Sequence, residues 1–286
     1  MASHSITGRP RALVTGASAG IGMAFAEHLA QMGHDLLLVA RRRDRLEGLA
    51  QRLRGETGIE AEVVCADLTD PTEVSEVEAR IAGDGALRLL VNNAGFGGYQ
   101  PFASIAPKVI DDLVAVHTRA VARLTRAALP GMIERGNGAI INIASLLALS
   151  GTLPPAPLPY RATYAGAKAF MLAFTQALAG ELVGTGVRIQ VCLPGRVATE
   201  FHALQGIDTS KLPPTMSADD VVKASLAGLA QGEIVCVPAL EDVALLSRLA
   251  EAQVAVLQAA AWQPVLAGRY RSATQTGLAG FDSAAT

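Results

Sequence analysis

The chain has 286 residues, half of them apolar, and a formal net charge of −2. That length suits one large α/β domain with a buried core, and the near-neutral charge excludes the basic face that a nucleic-acid binder needs. Few aromatics beside much Ala, Val, Leu and Gly fit buried parallel strands covered by helices. The N-terminus, MASHSITGRP, lacks the apolar segment of a signal peptide, and no stretch approaches 18 uninterrupted apolar residues. Cys65, Cys192 and Cys236 sit in apolar runs without metal-ligand spacing. The expectation is a cytoplasmic protein with buried free thiols, no membrane span and no metal site.

In chain order, strand-like runs fall at 11–15, 35–40, 60–65, 87–91, 138–144, 187–193 and 234–237. Helical patterns fall near 21–32, 43–54, 72–82, 107–133, 163–183 and 218–230, and a last one near 239–262. The alternation predicts right-handed crossovers and an α/β, Rossmann-like, doubly wound parallel sheet with helices on both faces. One domain is expected over 1–286, with its core at about 10–240 and a peripheral tail at 264–286.

The first strand, turn and helix read RALVTGASAGIG. Glycines at 16, 20 and 22 permit a sharp turn and close approach of a ligand, and the helix start offers N–H groups to a pyrophosphate. Strand two ends in Ala40-Arg41-Arg42-Arg43, where a dinucleotide fold holds the adenosine ribose. A guanidinium at Arg41 pairs with a 2′-phosphate in fork geometry, which favours NADP(H) over NAD(H). A solvated basic helix start is the alternative, and Arg42 is left undecided. Asp67, at the end of strand three, reads equally as an N-cap ahead of Pro71. Asn93, Ala94 and Gly95 follow strand four. Ser145 follows strand five, and Tyr164 and Lys168 share one face of the next helix.

TGxxxGxG (Thr15 to Gly22), NNAG (Asn92 to Gly95), Ser145, YxxxK (Tyr164 to Lys168) and PGxxxT (Pro194 to Thr199) occur in one order over about residues 10 to 240. This set resembles the single-domain short-chain dehydrogenase/reductases. The resemblance implies a seven-stranded sheet, hydride exchange between NADP(H) and a carbonyl or alcohol, and a homodimer or homotetramer. It implies cofactor contacts from Gly16, Ser18, Gly20, Ile21, Gly22, Arg41, Arg42, Asp67, Leu68, Asn93, Ala94, Gly95, Tyr164, Lys168, Pro194, Gly195, Val197 and Thr199. Asp67 would accept from the adenine amino group, and Val197 and Thr199 would meet the nicotinamide side. Tyr164 would act as general acid, Lys168 would lower its pKa and bind ribose, and Ser145 would hold the substrate oxygen.

Two departures stand out. His117 occupies the place where the family carries an Asn in its proton relay. It reads either as a relay group able to carry a proton near neutral pH or as a structural histidine. Ser145 and Tyr164 are also further apart than in the family, and the extra residues, GTLPPAPLPY (151–160), predict a stiff apolar loop at the site mouth or a surface excursion. Phe201, Leu204, Ile207, Leu212 and Met216 suggest an apolar lid over 200–217, and with the Pro-rich loop they point to a hydrophobic ketone or aldehyde. The last helical segment reads as a packing or subunit surface, or as a helix lying on a membrane. A nucleotide-binding regulator with little turnover is the alternative from another class. A reductase of an imine or an acyl-carrier ketoester is the other.

Overall fold

Buried on both faces, the seven apolar runs form one parallel sheet in the computed structural model, which describes residues 8–203 and 215–271. The strands are β1 (Arg11–Thr15), β2 (Asp35–Ala40), β3 (Ala61–Cys65), β4 (Leu87–Asn92), β5 (Gly138–Ile143), β6 (Val187–Cys192) and β7 (Val235–Cys236). Their order is β3-β2-β1-β4-β5-β6-β7, the doubly wound arrangement expected from the alternation. The chain winds outward from β1 in one direction and resumes with β4 on its other side. A crevice therefore opens beyond the carboxyl ends of β1 and β4.

Helices α1 (Gly20–Gln31), α2 (Arg43–Thr57) and α8 (Ala218–Gln231) cover one face. Helices α3 (Pro71–Ala82), α5 (Val121–Glu134) and α6 (Ala162–Glu181) cover the other. Each turns an apolar stripe inward: Phe25 and Leu29 from α1, Leu46 and Leu53 from α2, Leu124 and Met132 from α5 are almost wholly buried. Each such side chain contributes about 1.5–3 kcal/mol of transfer free energy.

Local signals set the helix ends. Asp70 accepts from the backbone N–H groups of Thr72 and Glu73, with Pro71 at the first helical position. Asp70, and not Asp67, is therefore the N-cap of α3. Ser217 caps α8 by accepting from Asp220 N, and α8 ends at Gly232 in the left-handed region.

Between β4 and β5 the expected single helix is three segments. Helix α4 (Pro107–Val114) runs into a π-helical turn (Ala115–Ala120) and then into α5. The widened turn carries His117. Met216, expected in a lid, instead pairs with Val197 in an isolated parallel bridge and packs on the core. Leu204, Ile207 and Leu212 lie outside the described residues. Cys192 and Cys236 are buried thiols, whereas Cys65 is half-buried and donates to the Arg41 carbonyl.

Residues Met1–Ala239 form one compact unit and Leu240–Thr286 another. The second contains α9 (Ala244–Ala260), whose Leu245, Leu249, Val254 and Leu257 are exposed, and the short α10 (Gly268–Arg271). Among the described residues no helix is long and apolar enough to cross a membrane.

Candidate active site

The crevice is a cleft of about 1340 Å³, and its walls are the loops that follow β1 to β6. Gly16 adopts φ +68°, and a Cβ there would lie 2.8 Å from Asn93 Nδ2 and 2.9 Å from Ala94 Cα. The glycine therefore lets the first loop sit against the fourth. Thr15 Oγ1 accepts from the backbone N–H groups of Asn93 (2.9 Å) and Ala94 (3.0 Å), and Asn93 Nδ2 donates to Thr15 O. Helix α1 begins at Ala19 with no side-chain cap, so the N–H groups of its first turn remain available to a phosphate.

Below this floor runs a buried ladder. Asn92 Nδ2 donates to Asn142 Oδ1 at 2.9 Å, Asn142 Nδ2 to Thr175 Oγ1 at 2.9 Å, and Thr175 Oγ1 to Met171 O. It ties β4, β5 and α6 together and fixes the helix that carries Tyr164 and Lys168.

At the adenosine end, Arg41 is 68% exposed at its side chain, with Nη1 3.6 Å from Asp67 Oδ2. Asp67 also accepts from Thr69 N and Thr69 Oγ1. Partial burial works to raise its carboxyl, but the Thr69 bonds and the Arg41 charge outweigh that and hold it below the usual range. Arg42, undecided from sequence, is the more engaged arginine. It donates from Nε (3.2 Å) and Nη2 (3.0 Å) to Ser18 Oγ and pairs with Glu200. Arg45 also reaches Glu200, at 2.8 Å. Ile21, Leu68, Pro194, Gly195, Val197 and Thr199 complete the groove, the first by packing on the core and the others on its walls.

At the other end, Tyr164, Ser145 and Lys168 come together. Tyr164 is buried, and its hydroxyl hydrogen-bonds with Ser145 and with Tyr99. Lys168 is 3% exposed, donates to Ile143 O at 2.8 Å, and lies 5.7 Å from the centre of the Tyr164 ring. The electrostatics differ from the sequence expectation. Burial, with Tyr99 beside it, pushes the Tyr164 phenol well above 10, and burial pushes the Lys168 ammonium down to about 7. In this pocket desolvation is the largest influence on both groups.

His117 also meets the group, its ring 5.6 Å from that of Tyr164 in edge geometry. Its Nε2 sits 2.9 Å from Phe96 O, so Nε2 carries the hydrogen and Nδ1 is a buried acceptor with no donor among the described residues. Burial, then the Lys168 charge, hold its pKa well below 6.5. Both causes favour the neutral imidazole over a ring that carries a proton near neutral pH.

Two residues that bear on the site, Tyr99 in the cleft and Arg161 behind its wall, carry no clear signal in the sequence. Tyr99 lies 5.3 Å from the Tyr164 ring, and burial lifts its hydroxyl to about 12. Arg161, one turn ahead of Tyr164, is buried beneath the Pro-rich loop. The only sequence hints were an aromatic after NNAG and a charge at the end of an apolar loop. Pro157, Leu158 and Pro159 line the cleft, with Leu146, Leu147 and Phe201, so the end of the 151–160 segment is pocket wall while Gly151 to Ala156 are exposed and outside the lining.

A crevice at the strand switch, a glycine-lined phosphate floor and a Ser–Tyr–Lys set at its far end define a nicotinamide-dinucleotide oxidoreductase of the doubly wound type. Residues 10–208 match the short chain dehydrogenase family. The chain is 32% identical over 216 residues to the very-long-chain 3-oxoacyl-CoA reductase of Bos taurus, covering 74% of this chain and 67% of that one. Its fold superposes on a short-chain dehydrogenase from Sphingobium yanoikuyae in complex with NADPH. The TM-score is 0.86 at 38% identity, over 92% of this chain and all of the other. It also superposes on the bulky-bulky ketone specific alcohol dehydrogenase from Comamonas testosteroni, with a TM-score of 0.82 at 35% identity over 92% and 98% of the two chains. The chain belongs to the short-chain dehydrogenase/reductase family.

Proposed function

We propose that this protein is an NADPH-dependent reductase of bulky, apolar ketones or aldehydes, acting reversibly. The observation that carries this reading is the buried Tyr164 hydroxyl, hydrogen-bonded to Ser145 with Lys168 Nζ 5.7 Å from its ring centre, in a cleft whose lining includes Leu146, Leu147, Pro157, Leu158 and Phe201. A wall of that kind offers an apolar ketone burial and offers a charged metabolite no partner. When bound, a nicotinamide dinucleotide supplies or receives the hydride. Ser18 and Arg42, with Arg41 at the rim, are the groups that fit a 2′-phosphate.

Each residue has one task. Ser145 donates to the substrate oxygen and orients it. Tyr164 keeps its proton until charge develops on that oxygen, because burial holds its pKa high, and then gives it up. Lys168 ties α6 to the end of β5 and faces the ribose side of the groove. Neutral His117 supplies an acceptor, Nδ1, where the family has an Asn amide. The resemblance to a reductase of 3-oxoacyl-CoA and to a bulky-ketone dehydrogenase supports ketone reduction as the reaction.

The test follows nicotinamide absorbance with NADPH, and separately NADH, over aliphatic, aromatic and cyclic ketones. Turnover preferring apolar ketones is expected, and Tyr164→Phe lowers it by about 10²–10⁴ with NADPH affinity nearly intact. Full activity in that variant would remove Tyr164 from its role. A clear preference for NADH would overturn the cofactor assignment.

A further inference from the structure

The segment between the 3-10 turn Leu146–Leu149 and helix α6 has four prolines, at 154, 155, 157 and 159. Proline brings a carbonyl but no N–H, so this stretch cannot satisfy its own acceptors by a hairpin or a helix. It also has no apolar core, since Gly151 to Pro157 are all exposed. A loop of this make-up needs donors from outside itself to hold one shape.

Arg161 supplies them. Its side chain is buried, the residue being 7% exposed, and all five guanidinium N–H groups point into the loop. Nε donates to Ser150 Oγ at 2.6 Å. Nη2 donates to Ser150 O at 2.7 Å and Leu153 O at 2.8 Å. Nη1 donates to Pro159 O at 3.1 Å and reaches Pro154 O at 3.5 Å. All these acceptors are neutral oxygens of one loop, so the guanidinium acts as a planar template and not as half of an ion pair. Its own carbonyl accepts from Ala165 N at 2.7 Å, joining the template to the first turn of α6, where Tyr164 sits. The same loop sets Pro157, Leu158 and Pro159 against the cleft.

We infer that Arg161 is a positioning residue for substrate selection. It holds the Pro157–Leu158–Pro159 wall in a fixed place relative to Tyr164, so that a bulky apolar ketone enters a preformed surface and loses little ordering entropy. The inference rests on the ketone-reductase reading for its substrate, though not for the anchoring itself. Lysine cannot replace arginine here: a single ammonium with three donors cannot span acceptors that lie on both sides of a planar fork.

The experiment compares wild type with Arg161→Lys and Arg161→Ala, using benzophenone as the bulky ketone and cyclohexanone as the small one. Expected in Arg161→Lys is a KM for benzophenone raised at least tenfold. The values of kcat and KM for cyclohexanone, and the Kd for NADPH, stay within about threefold. Calorimetric binding of benzophenone weakens in parallel, and hydrogen exchange rises in the peptide spanning 146–163 alone. Millimolar methylguanidinium restores part of the lost discrimination in Arg161→Ala. Should Arg161→Lys fail to fold, Leu158→Ala takes its place, and the benzophenone-to-cyclohexanone ratio of kcat/KM must still fall at least fivefold. An unmoved ratio, or equal losses on both ketones with no rise in exchange, overturns the inference. If wild type turns over neither ketone, the reductase reading fails, while exchange and benzophenone binding still decide the role of Arg161.

Discussion

Glu200 Oε1 lies 2.5 Å from Arg42 Nη1, so a carboxylate at the start of the short helix α7 (Glu200–Ala203) after β6 occupies a guanidinium just beyond β2. Hydrogen bonding by Arg45 and then Arg42, against some cost of burial, holds the Glu200 carboxyl below its usual range. In the proposed function the same Arg42, with Ser18, receives the 2′-phosphate of NADPH. A phosphate entering there displaces the glutamate, whereas the 2′-hydroxyl of NADH leaves it in place. Removing the carboxylate therefore favours NADPH selectively. Exposed pairs of this kind contribute about 0–1 kcal/mol, so Glu200→Gln is expected to lower the Kd for NADPH about two- to fivefold and leave that for NADH unchanged. Fluorescence titration with both nucleotides checks it. Weaker NADPH binding would assign Glu200 to holding the arginines in place instead.

In the proposed mechanism Tyr99 acts on the proton that Tyr164 exchanges. Its hydroxyl hydrogen-bonds with Tyr164, and its own pKa is pushed up to about 12 by burial. The upward push of its charge on Tyr164 therefore belongs to pH values near 12, and below pH 10 it is a neutral phenol that donates to the Tyr164 oxygen as that oxygen loses its proton. Tyr99→Phe removes that donor, so the Tyr164 pKa rises. If alcohol oxidation runs through the deprotonated Tyr164, its rising limb with pH moves to higher pH in the variant. The measurement is kcat/KM for alcohol oxidation from pH 6 to 10. A limb that stays put or moves downward would detach Tyr99 from the proton step.

The scaffold was largely legible in the amino-acid sequence because it is built from local signals. Apolar runs bounded by Gly and Pro mark all seven strands to within about two residues, TGxxxGxG and NNAG mark strand ends where backbone must turn or approach closely, and YxxxK spaces two side chains along one face of α6. The rest depends on side chains that meet across the fold. No local spacing announces that Glu200 will reach Arg42, that Tyr99 will meet Tyr164, or that Arg161 will spend its donors on a proline loop. The electrostatics were misjudged for a related reason. Sequence gives the charges of Lys168 and His117, but their pKa values follow from burial, which only packing determines.

Buried Lys168 makes stability depend on pH with a definite sign. Its pKa is about 7 in the folded chain, against about 10.4 in an unfolded one. Between those values the unfolded state holds a proton that the folded state lacks, so this group makes stability rise with pH from about 7 to 10. Below pH 7 the cost of the buried ammonium is fully present. Lys168→Met removes it, and its Tm is expected to exceed that of wild type by roughly 5 °C at pH 6, with the gap closing toward pH 10. The lost bond to Ile143 O offsets part of the gain. A gap that is constant across this range would place the lysine in an environment far more hydrated than its burial indicates.

Gly95 and His117 are fitted to one another. A Cβ on Gly95 would collide with the imidazole, which cannot withdraw because Nε2 is held by Phe96 O. Gly95→Ala is therefore expected to destabilise by about 1–3 kcal/mol, the usual cost of overpacking a rigid site. His117→Asn alone shortens the side chain and removes the clash. In the double variant at least half of the Gly95→Ala cost should vanish, a coupling that a denaturation cycle of the four proteins measures directly. The asparagine also tests what the histidine does. Because burial and the Lys168 charge disfavour the protonated imidazole, exchanging it for a neutral amide is expected to leave the shape of the pH–rate profile between 6 and 8 unchanged, whatever happens to its height. Loss of an ionisation from that range in His117→Asn would falsify the neutral-acceptor assignment. Additive costs in the stability cycle would mean that the π-helical turn moves the imidazole aside.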